Sequence, residues 1–314
     1  MLPTSGSPSD TVRSSAGSDG GPFSGERLTE ALAGVCAAAG LDPVGATLIK
    51  CTANAVFRLA SAPVVVRIGA STALRHRVEK VVKVATWLAE HDVPAVRLLP
   101  GVAQPVQYDG YVATVWEAVP AGGKRPRGRD LGKLLRRIHD LPQPASWLPP
   151  WQPLADVRAR IGEATDLDPA DLAFLQDRYD DVADQLSRLD FPSPPSLVHG
   201  DAHLGNLIPS PAGSVVCDFD SSSYGPPEWD LTPLAVGVVR FGEPAGRYRE
   251  LVRTYGMDVT RWSGFAVLRA VRELKLITSV LPIIGSRPGV RAELFRRMAD
   301  VRSGNTLARW ARYT

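Results

Sequence analysis

The stretch His-Gly-Asp-Ala-His-Leu-Gly-Asn occupies residues 199–206, and a second acidic cluster, Asp-Phe-Asp, follows at residues 218–220. Short apolar runs surround them, at residues 196–198, 207–208 and 214–217. A turn rich in proline and glycine separates the last two runs, so these are predicted to form a small hairpin. The polar residues therefore lie in a loop between short strands, where binding and catalytic groups are often held.

The order of the polar residues in this region suits magnesium-assisted phosphoryl transfer. An Asp and an Asn are followed by an apolar strand that ends in a second Asp. In that chemistry one Asp accepts the proton of an attacking hydroxyl group. An Asn and a second Asp then hold Mg²⁺ on the phosphate oxygens.

Residues 198–206, together with residues 216–218, resemble the catalytic and metal-binding segments of the aminoglycoside phosphotransferase-like family. These are small-molecule kinases with a protein-kinase-like fold. The resemblance implies that Asp201 is the catalytic base and that Asn206 and Asp218 bind the metal. It also implies transfer of the γ-phosphate of ATP or GTP, with Mg²⁺, to a hydroxyl group of a small molecule.

A later aspartate also matches the family. Asp230, in Glu-Trp-Asp-Leu, stands where the family has an aspartate that braces the catalytic loop. The resemblance therefore predicts that Asp230 is structural. His139, near the end of a predicted helix, is expected to be a packing or capping residue.

Short apolar or β-branched runs predict strands in the first half of the chain, at residues 46–51, 56–60, 64–68, 96–99, 105–108 and 111–117. In the family the turn after the first strand lies over the nucleotide phosphates, which implicates Thr52 and Asn54. The third strand usually carries a Lys, but this chain has Arg67 there. Arginine can bind phosphate bidentately without being equivalent to lysine. The alternative is an exposed arginine on an edge strand.

Three further residues are implicated in nucleotide binding by the resemblance. Glu79 is the only acidic residue in the first three turns of a helix predicted over residues 75–89. A kinase glutamate in this helix pairs with the strand cation, so Glu79 is a candidate partner of Arg67; a solvated Glu79 is the alternative. Glu117 and Val119 fall at the hinge between the lobes, where backbone groups meet the adenine.

The length and the order of the elements predict the architecture. A chain of 314 residues permits one large domain or two lobes. Strand-forming runs come first and helical patterns follow, which predicts an α+β, two-lobed protein-kinase-like fold with its site in the cleft between the lobes. We expect a disordered tail over residues 1–25, a strand-rich nucleotide-binding lobe over 26–119 and a helical catalytic and substrate lobe over 120–314.

The composition excludes several classes of protein. A net charge of +3 is too small over this length to favour nucleic acid as a partner. The longest apolar runs are shorter than the roughly 18 residues of a transmembrane helix, so no membrane span is predicted. Cys36, Cys51 and Cys217 are far apart and outside any Cys-x-x-Cys motif. They indicate free thiols in a reducing compartment, the cytoplasm. The oligomeric state is left open.

Two alternative functions remain open. His199, Asp201 and His203 could bind a metal in a hydrolase, although the two glycines of the stretch argue against the helix on which such ligands usually lie. The chain could also bind nucleotides without catalysis, which the missing strand lysine suggests. Retention of the acidic residues of a catalytic loop argues against that alternative.

Charge along the second half of the chain bears on the acceptor substrate. Residues 150–239 hold about 15 acidic residues against about 4 basic ones, while residues 240–314 hold about 15 basic against about 6 acidic. A polycationic aminoglycoside would favour a pocket that is acidic on every side. We therefore expect a neutral, zwitterionic or singly charged hydroxyl compound. Solvated helix faces are the alternative explanation of these charges.

Overall fold

The computed structural model describes residues 25–51, 54–69, 75–144 and 146–313. Contacts divide the chain into two compact units. The sheet unit comprises the described residues up to Glu79 with Leu98–Ala118, and the helical unit comprises Lys80–Arg97 with the described residues from Val119 onward. The tail predicted over residues 1–25 lies, except for its last residue, outside the described residues. The predicted lobe boundaries stay a prediction.

The sheet unit contains one antiparallel sheet and one helix. The strands are ordered β1-β2-β3-β5-β4 across the sheet. The bounds are α1 Gly25–Ala39, β1 Thr47–Cys51, β2 Asn54–Arg58, β3 Val64–Gly69, β4 Val106–Tyr108 and β5 Tyr111–Glu117. The predicted Asp-Gly turn joins β4 to β5, and both of its residues have positive φ.

The core of the sheet unit follows from side-chain alternation. Val66 and Ile68 of β3 are fully buried in one hydrophobic cluster with Leu32 and Val35 of α1. Because successive side chains of a strand point to opposite faces, Arg67 lies on the face that α1 does not cover. That side chain is half-buried.

The strand predicted over residues 96–99 is wrong. This segment makes only isolated bridges, from Ala95 to Val216 and from Leu98 to Trp116. Its backbone groups bond to two different partners, so no ladder of consecutive residue pairs forms.

The helical unit contains most of the described helices and two short strand pairings. Helix α2, Arg75–Glu90, begins in the sheet unit and ends in the helical unit. The other helices are α3 Gly128–His139, α4 Ala155–Gly162, α5 Pro169–Ser187, α6 Glu228–Phe241, α7 Ala245–Tyr255, α8 Phe265–Thr278 and α9 Pro288–Arg302. The short strands are β6 Ser196–Val198, β7 Leu207–Ser210, β8 Gly213–Val216 and β9 Ser223–Gly225, with β6 paired to β9 and β7 to β8.

Two glycines bring α3 and α7 into close contact. A Cβ atom at Gly128 would overlap the backbone carbonyl of Arg247, and one at Gly132 would lie 2.9 Å from the carbonyl oxygen of Leu251. Only residues without a side chain allow this approach of the two helices. Among the described residues, no helix has the length and apolarity that crossing a membrane requires.

Candidate active site

The loop over residues 199–206 connects β6 to β7 and ends in a 3₁₀ turn, Leu204–Asn206. Gly200 has a φ of +84°, a conformation that residues with a side chain rarely adopt. A Cβ atom at Gly200 would also overlap the carbonyl group of Ser221. The glycine therefore lets the loop pass directly beside the segment that follows β8.

Asp230, in the first turn of α6, holds this loop in place. Its Oδ2 accepts a hydrogen bond from the N–H of His199 at 2.6 Å, and its Oδ1 accepts one from the N–H of Gly200 at 2.8 Å. The indole N–H of Trp229 donates to the carbonyl of Gly200 at 2.8 Å. The side chain of Asp230 is fully buried. The bracing role that the resemblance predicts is confirmed.

His139 gives the buried carboxylate a third donor. Its Nε2 lies 3.0 Å from Oδ2 of Asp230, and its Nδ1 lies 2.8 Å from the hydroxyl group of Tyr255. His139 was predicted to be a packing or capping residue; the structure adds a contact with the aspartate that holds the loop. Because His139 ends α3 and Tyr255 ends α7, the packing of these two helices also positions the catalytic loop.

Asp201 lies between two cationic or potentially cationic side chains. Nη1 of Arg272, on α8, is 2.7 Å from Oδ1 of Asp201, and Nε2 of His203 is 3.5 Å from Oδ2. Burial raises the pKa of the Asp201 carboxyl group, but the His203 contact and the Arg272 charge together hold that pKa well below its usual range. The carboxylate is therefore ionised at every physiological pH.

One oxygen of Asp201 is available to a substrate. Oδ1 is buried in the ion pair with Arg272, whereas the side chain as a whole is 36% exposed, so a substrate would approach the other oxygen, Oδ2, which lies 3.5 Å from Nε2 of His203. A hydroxyl group placed there could donate a hydrogen bond to a carboxylate that is already ionised. This is the arrangement that a general base requires.

The two histidines of the stretch contact backbone groups. His199 Nε2 lies 2.9 Å from the carbonyl oxygen of Cys217, and its Nδ1 accepts from the N–H of Asp201 at 3.2 Å. His203 Nδ1 accepts from the N–H of Gly205 at 3.0 Å. Both nitrogens of His199 are thus engaged. In the part of the chain that the structure describes, no group of three or more His, Cys, Asp and Glu side chains could hold a metal, so the hydrolase alternative lacks support.

Asn206 and Asp218 offer oxygen atoms suited to a hard cation. The side-chain amide of Asn206 donates to the carbonyl of Asp201 at 2.9 Å, which leaves its own oxygen as an acceptor. Asp218 follows β8 with φ 70° and ψ 71°, a left-handed conformation that is costly for a residue other than glycine and often occurs at functional sites. A carboxylate and an amide oxygen are ligands that Mg²⁺ accepts. The two predicted metal ligands therefore fit the ion chemically.

Asp220 lies in a 3₁₀ turn, Phe219–Ser221, rather than on a strand. Side-chain alternation along a strand therefore does not place Asp220 on the same side as Asp218. The carbonyl oxygen of Asp220 accepts a hydrogen bond from Nζ of Lys80 at 2.6 Å. Lys80 was not predicted from the sequence, because no local pattern connects it to a segment 140 residues away.

The sheet unit contains the predicted nucleotide-binding residues Asn54 and Arg67. The strand register pairs Asn54 with Gly69, two residues beyond Arg67, so both side chains belong to the same face of the sheet. The strand that carries Arg67 is the middle one of five, so the alternative of an edge strand is wrong. Thr52, the other predicted residue of this turn, lies outside the described residues.

The remaining predicted residues lie near the ends of elements. Glu79, in the second turn of α2, accepts a hydrogen bond from Nε of Arg75 at 2.8 Å. Glu117 is exposed and ends β5, and Val119 is the first residue of the helical unit beyond that strand. Trp116 is buried, with its indole N–H donating to Thr114 Oγ1 at 2.7 Å. Nucleotide binding by Glu79, Glu117 and Val119 stays a prediction.

Comparison with known proteins agrees with this geometry. The sequence profile of the phosphotransferase enzyme family matches residues 51–273. A search of curated proteins finds no match.

Solved structures share the fold at low sequence identity. An amicoumacin kinase in complex with AMP-PNP, Ca²⁺ and Ami is 13% identical with a TM-score of 0.67, covering 85% of this chain and 90% of that chain. A choline/ethanolamine kinase family protein from Mesorhizobium loti is 18% identical with a TM-score of 0.59, covering 88% and 93%. An aminoglycoside phosphotransferase from Streptomyces rimosus is 18% identical with a TM-score of 0.56, covering 79% and 98%. The predicted α+β, protein-kinase-like fold is confirmed.

Proposed function

Because the chain belongs to the phosphotransferase enzyme family, we propose that it is a small-molecule kinase that transfers the γ-phosphate of ATP or GTP to a hydroxyl group with the help of Mg²⁺. One observation carries this proposal. An ionised and partly exposed Asp201, paired with Arg272, lies in a loop that the buried Asp230 fixes. That loop also contains Asn206, and Asp218 follows the adjoining hairpin.

In the proposed reaction, Asp201 orients the acceptor hydroxyl group and receives its proton. A bond forms between the hydroxyl oxygen and the γ-phosphorus, and the bond from that phosphorus to the bridging oxygen of the β-phosphate breaks. The nucleoside diphosphate leaves with the electron pair of that bond. Phosphoryl transfer demands little covalent chemistry from the protein, so positioning and charge stabilisation supply most of the rate.

The oxygens of Asn206 and Asp218 would hold the metal ion. A bound Mg²⁺ neutralises negative charge on phosphate oxygens and orients them. The hydrogen bond from the Asn206 amide to the Asp201 carbonyl links the metal-binding residue to the loop of the base. The position of Asn206 and the position of Asp201 therefore depend on each other.

Arg67 would bind the phosphates from the sheet unit, in the predicted nucleotide-binding lobe. The backbone of Arg67 is held on both sides by neighbouring strands. Charge-assisted hydrogen bonds from its guanidinium group to phosphate are stronger than neutral ones. The complex of the amicoumacin kinase with AMP-PNP supports a nucleoside triphosphate as the phosphate donor.

Asp218→Ala is expected to abolish the stabilisation of the protein by nucleotide that depends on Mg²⁺, because the variant loses a carboxylate ligand. Melting temperatures with ATP, with and without Mg²⁺, measure this effect. Asp220→Ala, two residues further along the chain, is the comparison and should weaken that stabilisation less than Asp218→Ala does. A larger loss in the Asp220 variant than in the Asp218 variant would refute the assignment.

Arg67→Ala is expected to raise the KM for the nucleotide by about tenfold or more, because a charge-assisted phosphate contact is lost. The expected cause is weaker ground-state binding, so kcat should change less. Arg58→Ala, an exposed position on the neighbouring strand β2, is the control and should leave the KM unchanged. If the Arg67 variant kept the wild-type KM and kcat, Arg67 would be a structural residue of the sheet and would not bind the nucleotide.

Nucleotide-dependent melting followed by a phosphorylation assay tests the proposed function. Stabilisation by Mg-ATP or Mg-GTP and transfer of labelled γ-phosphate to a hydroxyl compound are the expected results. Stabilisation without turnover on a broad acceptor panel would favour the non-catalytic nucleotide-binding alternative. Stabilisation by metal alone would favour the hydrolase alternative.

A further inference from the structure

A cavity of about 600 Å³ lies beside the catalytic loop, and every residue that lines it belongs to the helical unit. His203, Leu204 and Gly205 of the loop form part of its wall. Arg272, whose guanidinium group contacts Asp201, forms another part. The cavity therefore adjoins the proposed general base, and its volume is that of a small-molecule site.

Charged groups of one sign dominate the wall. Five arginines line the cavity against a single carboxylate, Glu243; the arginines are Arg125, Arg247, Arg272, Arg297 and Arg312. They come from the segment before α3, from α7, α8 and α9, and from the end of the chain. The basic side chains therefore reach the cavity from several directions.

Two of these arginines already pair with carboxylates outside the wall, although Glu293, the partner of Arg297, also pairs with Arg296, which has Asp300 as a second partner. Arg297 is fully buried, donates to Glu293 at 2.8 Å and stacks over the ring of Tyr313. Arg272 pairs with Asp201. These two positive charges are balanced by negative charges beside the cavity.

The other three arginines are not balanced one for one. Arg247 and Arg312 both donate to the same carboxylate, that of Glu243. Arg125 is exposed and forms no ion pair with another described residue. The wall thus has an excess of two positive charges over its carboxylate partners within the described part of the chain.

An uncharged donor is also available. The hydroxyl group of Tyr313 is buried and has no hydrogen-bond partner among the described residues. Burial raises the pKa of Tyr313 to about 12, so the group remains protonated and can donate to an anion. Leu234, Phe241 and Leu276 contribute apolar surface to the same cavity.

We propose that the acceptor is an anionic alcohol, a small molecule that combines the reacting hydroxyl group with a carboxylate or phosphate group and an apolar part. This inference rests on the proposed kinase function and specifies its substrate. The planar guanidinium fork binds carboxylate and phosphate oxygens bidentately. A polycation in the same cavity would lie beside unbalanced positive charges, which is costly once water is displaced.

The cavity also shows which of the two charged regions, the acidic residues 150–239 or the basic residues 240–314, supplies charged groups to the wall. None of the acidic residues of residues 150–239 lines it, whereas arginines of residues 240–314 do. Residues 150–239 therefore contribute loop residues and apolar residues to the wall, but none of their acidic side chains. The expectation of a neutral, zwitterionic or singly charged acceptor narrows to an acceptor that carries negative charge.

The reaction with such an acceptor needs no further reagent. The anionic group pairs with the arginines, and the hydroxyl group donates its proton to Asp201 as its oxygen bonds to the γ-phosphorus. The bond between that phosphorus and the β-phosphate oxygen breaks, and the nucleoside diphosphate leaves.

Matched acceptor pairs test the proposal on the full-length protein with Mg-ATP. The probes are the hydroxy acids glycerate, gluconate and 3-hydroxydecanoate, each with its neutral amide, and glycerol 3-phosphate with glycerol. Kanamycin provides a polycation. We expect at least one anion to be bound and phosphorylated with a kcat/KM at least tenfold above that of its neutral partner and above that of kanamycin. The acids and glycerol 3-phosphate distinguish carboxylate from phosphate recognition.

Charge reversal of an arginine without an ion-pair partner gives a sharper test. Arg125→Glu is exposed and breaks no ion pair with a described residue, so the variant should fold. Its KM for the preferred anion should rise at least tenfold, while its KM for ATP stays within twofold of the wild-type value. Arg249→Glu, an exposed residue of α7 outside the cavity wall, is the control with the same change of charge and should alter neither constant.

The outcomes separate this proposal from the one on which it rests. Preference for the amides, glycerol or kanamycin, absence of binding by every anion, or equal effects of the two charge reversals would each overturn the anionic acceptor. Nucleotide binding that depends on Mg²⁺ would then still support the kinase. Failure of both Mg-ATP and Mg-GTP to bind would instead refute the proposed function.

Discussion

Asp201→Asn is expected to lower kcat by about 10² to 10⁴, the usual contribution of a positioned general base, and to leave nucleotide binding intact. An amide of the same shape cannot receive the hydroxyl proton. Steady-state kinetics with saturating acceptor, together with melting in Mg-ATP, separate the two effects. The control is Asp181→Asn, which alters an exposed carboxylate paired with Arg178 on α5 and should leave kcat unchanged. Turnover at the wild-type rate in the Asp201 variant would disprove the role of base.

The ion pair of Asp201 with Arg272 adds a pH dependence to this prediction. The pKa of Asp201 is lower in the folded protein than in the unfolded chain. The ionised carboxylate therefore stabilises the fold above the pKa in the unfolded chain, about 4, and this stabilisation is lost as the pH falls through the pKa in the folded protein. Arg272→Gln should therefore lower the melting temperature relative to wild type by a constant amount above about pH 5. The difference between the two proteins should shrink at lower pH. A difference that is independent of pH down to the acid-unfolding limit would contradict the assigned cause.

Asp230→Ala is expected to lower the free energy of unfolding by about 3–5 kcal/mol, the usual cost of removing one partner from a buried charged network. The two oxygens of Asp230 accept hydrogen bonds from two backbone N–H groups of the catalytic loop and contact His139. Alanine would leave all of these buried groups without their partner. Urea unfolding measures the change. Asp181→Ala, which removes an exposed ion pair with Arg178 and an exposed hydrogen bond from Gln185, should cost less than about 1 kcal/mol.

A second variant of Asp230 shows whether this residue positions the catalytic loop or only stabilises the fold. Asp230→Asn keeps one acceptor oxygen but turns an amide donor towards a backbone N–H group or His139, so it should lose less stability than the alanine variant. The loop would still shift, and kcat should fall about tenfold or more while the KM for nucleotide changes little, because small displacements of a catalytic group are costly. If a folded Asp230→Asn protein kept the wild-type kcat, Asp230 would be a folding residue only.

Local patterns were sufficient where an element is defined by its own sequence. The bounds predicted for β5, residues 111–117, match those in the structure, because its run of apolar and β-branched residues begins directly after an Asp-Gly turn. The strand predicted over residues 96–99 was wrong, since an apolar run does not reveal how many partners its backbone will have. For the same reason the alternative of an edge position for Arg67 could not be excluded before the strand order was known.

The sequence by itself determined the α+β fold and the hairpin that follows the loop over residues 199–206, because these depend on residue types at short spacing. Only the tertiary structure placed Arg272 on Asp201, Lys80 on the carbonyl of Asp220 and a group of arginines around one cavity. These contacts join helices and loops that are far apart along the chain. No local periodicity encodes such contacts, because the packing of α3, α6, α7 and α8 decides which side of each helix faces the site.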